Sequence, residues 1–470
     1  MSNQDTFRSL PEVHQSIPIP KGGPWLRRVL AFAGPGFLVS VGYMDPGNWG
    51  TDLAGGSKYG YALLWVIFLS NIMAQFLQVL CAKLGLVTGK DLAMACRDYY
   101  KRPAAIALWI LCEIAIIACD LAEVVGSAVA LNLLFGIPLE LGVLITGLDV
   151  LLLLGFMKFG FRKIEAIIVT LVLTIFGCFV YEMFVAQPDW GGVVKGMFTP
   201  NLPDKEALLI SLGILGATVM PHNLYLHSSI VQTRKSGDSP SEIKEAINFN
   251  RTDTMFALSL AFFVNAAILI LAAAVFYKSG VVVEELQEGH RLLGTMLGGA
   301  SATLFAVALL ASGQSSTITG TLAGQIVMEG FMRWRIKPWL RRIITRCLAI
   351  VPAIIVINAS GGKDTVQLLV ISQVVLSMQL PFAIFPLVMV TSDRRRMGEF
   401  ANKAWVAALG YLMCLVIGGL NVYLLYQTYQ DHQDLIPSAL VVGFLTAVAA
   451  FTVWVTFFYK AKPASPSPSE

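Results

Sequence analysis

The chain has 470 residues, enough for two or three soluble domains, yet 56% are hydrophobic, 14% are charged and the mean hydropathy is +0.68. A bilayer span takes roughly 20 apolar residues, so room exists for about twelve, which excludes an ordinary soluble enzyme. The 34 Lys and Arg against 30 Asp and Glu leave +4, too little and too dispersed for a nucleic-acid footprint.

In chain order, residues 1–28 are polar, carry Pro11, Pro18, Pro20 and Pro24, and lack a secretory signal, so a cytoplasmic arm without fixed structure is expected. Apolar helical stretches follow at 29–60 (interrupted), 61–88, 104–135, 138–158, 163–187, 206–233 (interrupted), 251–278, 296–330, 340–358, 365–391, 403–428 and 436–459. A Pro/Ser-rich tail, 460–470, is expected to be disordered. Both termini inside places 28 of the 34 basic residues on the inner face. Lys58, Lys195, Lys205, Lys278, Arg291 and Lys363 are left for the outer face. The seven cysteines are odd in number and contain no Cys-x-x-Cys; they read as core packing.

Two stretches contain helix breakers. The first carries Gly42-Tyr-Met-Asp45-Pro-Gly-Asn48-Trp49, where proline removes a donor and glycine permits unwinding; an outer loop is the alternative reading. The sixth carries Ala217-Thr-Val-Met220-Pro-His222-Asn223, whose alternative is a packing kink. The pair occupies corresponding places five spans apart, so the second half enters the membrane from the opposite side. Paired breaks in inverted halves point to a transporter site at the midplane. Unwinding frees backbone carbonyls there. Asp45 offers a carboxylate, Asn48 an amide oxygen, Ala217 a carbonyl and Met220 a thioether, a mixture suited to a divalent transition metal rather than Mg²⁺ or Ca²⁺. Met220 read alone is more often core or lipid-facing than a ligand.

On these residues the chain resembles the Nramp family of proton-coupled divalent metal transporters. The motifs are Gly34-Pro-Gly36 leading into Asp45-Pro-Gly-Asn48, then Met220-Pro-His222, then Gly313-Gln-Ser-Ser-Thr-Ile-Thr-Gly320. The resemblance implies an all-α, inverted-repeat fold like that of sodium-coupled amino-acid symporters. Spans 1–5 (29–200) and 6–10 (201–395) would form the repeats, and 396–459 two peripheral spans. It makes Asp45, Asn48 and Met220 side-chain metal ligands, Ala217 a carbonyl ligand and Gln373 an amide that approaches the metal in some states; Gln373 can instead bond a neighbouring helix.

Glu113, Asp120 and Glu123 lie in the third span, with 120 and 123 on one face, able to exchange a proton or to form a structural ion pair. By resemblance, Asp120 and Glu123 continue a proton route from Asp45 inward. Arg341, Arg342 and Arg346 at the start of the ninth span are the expected partners, Arg342 and Arg346 one turn apart. Arg341 is the one better read as a membrane-face anchor. His222 is turned roughly opposite Met220 and is expected to relay a proton or to hold the broken helix by hydrogen bonds. His227 packs or gates the inner vestibule. Tyr43, Thr218, Asn71 and Asn265 are expected to line or support the site, and the 314–319 polar run to hydrogen-bond between helices.

The reading is therefore an importer of Mn²⁺, with Fe²⁺, Co²⁺ and Cd²⁺, driven by protons through alternating access in a bacterial inner membrane. It has no cofactor, no nucleic-acid partner and no obligate protein partner, and it works as a monomer. No His-Glu-x-x-His or serine-nucleophile motif marks an enzyme. The rivals are a sodium-coupled amino-acid symporter of the same fold and a non-transporting membrane receptor or metal sensor.

Overall fold

The computed structural model describes residues 10, 14–20, 22–147, 161–235, 237, 239–360 and 365–431. The twelfth expected span and the tail lie outside them, as does most of the fourth span. The helices are α1 (Trp25–Phe32), α2 (Pro35–Gly42), α3 (Pro46–Tyr59), α4 (Leu64–Thr88), α5 (Leu92–Tyr99), α6 (Arg102–Phe135), α7 (Leu139–Thr146), α8 (Phe161–Ala186) and α9 (Trp190–Phe198). They continue as α10 (Lys205–Val219), α11 (Pro221–Ile230), α12 (Pro240–Val275), α13 (Leu286–Met296), α14 (Gly299–Met332), α15 (Pro338–Ser360), α16 (Thr365–Ser392) and α17 (Ala404–Asp431).

Their starts follow from local chemistry. Asp45, Asp91 and Asp204 accept backbone N–H bonds at the heads of α3, α5 and α10. Ser239 and Glu242 cap α12 reciprocally, and Pro35, Pro46, Pro221 and Pro240 occupy first-turn positions where no N–H is needed.

Among the described residues, eight helical segments are long and apolar enough to cross a membrane. One of them, Pro46–Thr88, runs α3 into α4 through a single 3₁₀ turn at Gly60–Leu63, so two expected spans read as one. The ninth expected span contributes only the shorter apolar stretch Ile343–Ile355. Segment Lys205–Thr233 is the centre of the bundle, with 94% of its most apolar stretch buried, against 28% for Ala404–Gln427 at the periphery. Around that centre, α10 packs on α3, α4 and α16, while α6 packs on α14, α15 and α16. Large apolar side chains such as Phe184, Leu415 and Phe135 face outward, as lipid contact requires.

One end of the bundle is clasped. Arg234, just after α11, donates to the Phe32 and Ala33 carbonyls and pairs with Glu165 of α8 at 2.7 Å. Arg162 donates to Ala33 and Leu30, and Arg28 pairs with Glu245 through both carboxylate oxygens. Asp253 of α12 accepts from the Gly34 and Gly36 N–H groups at the head of α2. Within residues 1–28, expected to lack fixed structure, strand β1 (Ile17–Pro18) pairs in parallel with β2 (Arg234–Lys235), and α1 already begins at Trp25. The cause is the free edge of β2, which offers backbone partners to the arm.

Gly34 joins α1 to α2 at φ 141°, and a Cβ there would run into the Arg234 guanidinium and the Glu165 carboxylate. A side chain at that φ costs about 1–3 kcal/mol, and overpacking adds a similar amount. Gly34→Ala is therefore expected to lower the unfolding temperature of the detergent-solubilised protein by several degrees, measured by thermal unfolding; an unchanged temperature would contradict the clasp.

Candidate metal site between two helix breaks

At the first break, Tyr43 and Met44 donate to Ser40 and Val41 in a tightened last turn, and Asp45 then caps α3 by accepting from Asn48 N at 3.0 Å. Two carbonyls exposed by the break are taken by neighbours: Asn265 Nδ2 donates to Tyr43 O at 2.7 Å and Ser312 Oγ to Met44 O at 2.5 Å. At the second break, Met220 sits at φ 32°, ψ 105°, a left-handed position that a non-glycine residue adopts only under constraint. Pro221 has no N–H to give to the Ala217 carbonyl, the acceptor an unbroken helix would assign to it.

The breaks face each other. Tyr43 donates from its hydroxyl to Val219 O at 3.4 Å, and the Asn223 amide lies against Gly42 while donating to Met220 Sδ at 3.5 Å. Helix α16 closes a third side: the Gln373 amide lies against Gly47, and its carbonyl lies against Gly216, where any side chain would hold α10 away. Helix α6 closes the fourth. Cys119 donates to Asp45 Oδ2 at 3.7 Å and packs with Met220, Ala115 and Leu376.

Asp45, Asn48, Met220 and Gln373 are each at most 1% exposed. Asn48 Oδ1, Asn223 Oδ1 and Gln373 Oε1 accept no hydrogen bond, nor does Thr218 Oγ1 make one. Amide oxygens can only accept, and a buried polar atom left without a partner costs about 1–3 kcal/mol. Three such oxygens with a carboxylate and a thioether make a donor set suited to a cation. Among the described residues no three His, Cys, Asp or Glu side chains converge on a metal position, so this set is carboxylate, amide, carbonyl and sulfur.

The buried charges lie on the clasped side. Arg346 pairs with Glu123 Oε2 at 3.2 Å and donates to the Asp120 carbonyl at 3.3 Å, and Thr317 also donates to Glu123 Oε2. Cys119 reaches Glu123 Oε1 at 4.0 Å, which joins Asp45 to this pair through one thiol. Asp120 is the charge that acts on buried His222, whose Nδ1 makes no hydrogen bond. His227 faces Gln78 Oε1 at 2.9 Å and Asn250 Oδ1 at 3.2 Å, and Gln78 donates onward to the Tyr43 hydroxyl at 2.7 Å.

Several expectations are corrected. Arg341, read as a surface anchor, is buried and pairs with Glu113 at 2.9 Å, because its face of α15 turns toward α6 rather than to water. The Arg342 side chain lies outside the described residues. The 315–321 hydroxyls mostly bond carbonyls of their own helix, as Ser315, Ser316, Thr319 and Thr321 show; only Thr317 reaches another helix. Asn71 is buried on α4 but has no hydrogen bond to either break. Cys119 and Asn223 were not singled out by sequence. Asn223 stands three residues from Met220 and Cys119 four from Glu123, spacings that place each on the required face.

The fold and site define a multi-pass, all-α membrane protein with two broken helices in an inverted-repeat scaffold. The solved nucleobase-cation-symport-1 transporter Mhp1 shares this fold at 15% identity and a TM-score of 0.56, over 91% of this chain and 93% of that one. A sequence model described as natural resistance-associated macrophage protein-like matches residues 36–427, and the chain belongs to the Nramp family. It is 58% identical to the divalent metal cation transporter MntH of Nostoc sp. over 442 residues, 93% of this chain and 100% of that one. It is 41% identical to the crystallised manganese transporter of Eremococcus coleocola, with a TM-score of 0.88 over 95% of this chain and 98% of that one.

Removing Arg346 would leave Glu123 charged and unpaired in a dry interior, a loss of about 3–5 kcal/mol. Arg346→Ala should therefore destabilise strongly in thermal unfolding, and adding Glu123→Gln should recover much of the loss; no recovery would show that the two do not act as a pair.

Proposed function

We propose that the protein is a secondary transporter that imports Mn²⁺, and also Fe²⁺, Co²⁺ and Cd²⁺, coupled to protons by alternating access. The carrying observation is the group of buried acceptor oxygens without donors, Asn48 Oδ1, Asn223 Oδ1 and Gln373 Oε1, around Asp45 and Met220. Asp45, Asn48, Met220 and the Ala217 carbonyl hold the metal, with Gln373 completing the shell in this closed arrangement. Sulfur is a poor partner for Mg²⁺ and Ca²⁺ and tolerates softer ions, so Met220 is the selectivity element. The named specificities of the relatives agree with this reading.

Asp45 carries both tasks. Arrival of a divalent cation favours its ionised form, and the released proton has Cys119, Glu123 and Asp120 before it, with Arg346 holding the receiving group. His222, whose Nδ1 makes no hydrogen bond, is the base nearest this route, and the His227–Gln78–Tyr43 chain ties the two broken helices together. The clasped, Arg-rich end faces the cytoplasm by the positive-inside rule, with both termini inside a bacterial inner membrane. The site is shut from both faces, so transport requires α1 to leave the clasp for release and α16 to leave Gly47 for loading. The unit of transport is the monomer.

In proteoliposomes, Mn²⁺ uptake should accelerate with an inward proton gradient and vanish in Asp45→Ala; uptake that survives this change would refute the site. Met220→Ala should keep Mn²⁺ uptake within about tenfold while admitting Ca²⁺, measured by competition between the two ions. Unchanged discrimination would place selectivity elsewhere.

A further inference from the structure

Away from the metal site and the clasp, one buried acid has no role so far. Glu182 of α8 is 1% exposed, and neither of its carboxylate oxygens makes a hydrogen bond of ordinary geometry. The other buried glutamates of α6 and α8, Glu123 and Glu165, each hold an arginine, whereas Glu182 has none.

Its place in the fold follows from the rings beside the metal site. Trp49 of α3 packs on Phe179 of α8 at 5.2 Å and on Phe305 of α14 at 5.0 Å between centroids. The starts of α2 and α8 meet at the clasp through Gly34, Arg234 and Glu165, and α14 ends there, with Gly330 O accepting from Arg97. Moving one turn away from the clasp along each helix leads from Trp49 to Asp52, from Phe179 to Glu182 and from Phe305 to Ser301. Asp52 Oδ2, Ser301 Oγ and the Trp49 indole N–H also lack partners, and all three residues are at most 1% exposed. Ser301 is the polar neighbour that acts on Glu182, and Asp45 is the charge that acts on Asp52. A layer of unpartnered polar groups thus lies on the far side of the aromatic seal from the Glu123–Arg346 pair.

Few other charges reach this layer. Helix α8 packs on α2, α12 and α14. Of these, α2 carries no charged residue, α14 none before Glu329, and α12 none between Asp253 and its end. The exposed Lys278 follows α12, Lys58 at the end of α3 is held by Glu206, and Cys178 and the exposed Tyr181 are the other titratable side chains near Glu182 on its own helix.

A buried carboxyl with no arginine must hold either a proton or a cation. The polar neighbour that acts on it is one hydroxyl, Ser301, too few oxygens to hold a cation, which favours the proton. We propose that Glu182 is the proton-loading station of the outer half of the transporter, taking a proton from external water and passing it through Asp52 to Asp45. Asp52 and Asp45 are seven residues apart on one face of α3, roughly 10 Å, so one or two waters admitted when the outer side opens complete the step. Each transfer moves one proton from a carboxylic acid to the next carboxylate and leaves no other product.

This inference rests on the proton-coupled reading above, and its test separates the two. Infrared difference spectra of the purified full-length protein without metal, recorded between low and high pH, should contain a protonated-carboxyl band that Glu182→Gln removes and Glu182→Asp retains. In proteoliposomes Glu182→Gln should cut metal-driven proton flux about a hundredfold or more, the size of a lost acid–base group, while Mn²⁺ binding measured by calorimetry stays within twofold. A band unchanged by Glu182→Gln, or proton flux at the wild-type level, overturns the proposal. Loss of Mn²⁺ binding in parallel with proton flux overturns it in favour of a structural or metal-holding role. If Glu182→Gln does not fold, Ser301→Ala replaces it and should shift the titration of the band by roughly half a pH unit or more; no shift is equally fatal. Wild-type uptake indifferent to pH would sink the transport reading while leaving the band assignment intact.

Discussion

Pro46 and Pro221 each remove the N–H that would have closed a helical turn inside the bilayer, and the rest of the molecule is arranged around the groups this sets free. Water is not available there to satisfy a carbonyl. At the first break, Asn265 and Ser312 reach across from α12 and α14 to supply donors to Tyr43 and Met44. At the second, no proline N–H exists for Ala217, and between the two breaks three amide oxygens, Asn48 Oδ1, Asn223 Oδ1 and Gln373 Oε1, stay without donors. Donors thus reach the carbonyls of the first break, while acceptors gather between the two.

Charge follows the same division. On α6 and α8, Glu113 pairs with Arg341, Glu123 with Arg346 and Thr317, and Glu165 with Arg234 and Arg162. Such pairs add little net stability because desolvation offsets most of the attraction, but each fixes one rotation of its helix. Away from the clasp, no arginine pairs with Glu182 or Asp52 among the described residues, and Glu182 has only the Ser301 hydroxyl acting on it. The asymmetry is one of partners: the acids of one half are held by cations and those of the other are not.

The helix breaks and the intramembrane acids were legible in sequence because each is a violation of the apolar pattern, and violations are costly in lipid. Asp45, Asn48, Met220 and Gln373 fall in one place for that reason. What sequence did not reveal depends on rotation and close approach. Nothing in the residues around Arg341 says that its face of α15 meets Glu113, and Cys119 resembles six other cysteines until α6 is placed beside Asp45. The 315–321 hydroxyls carry no mark distinguishing a bond to the next turn from a bond to the next helix. Strand β1 was invisible because its partner β2 lies more than 200 residues away and only two residues pair.

The pairing of β1 with β2 turns the stretch from Ile19 to Pro24 into a leash on α1. Six residues reach about 20 Å when extended, while β1 is fastened beside Arg234 and Gln15 N donates to Gln232 O. In the inner opening proposed above, α1 would leave Glu245 and Glu165 with its upstream end still moored, as a door travels on a short chain. The amplitude of that opening would be set by chain length rather than by the strength of the ion pairs that must first let go.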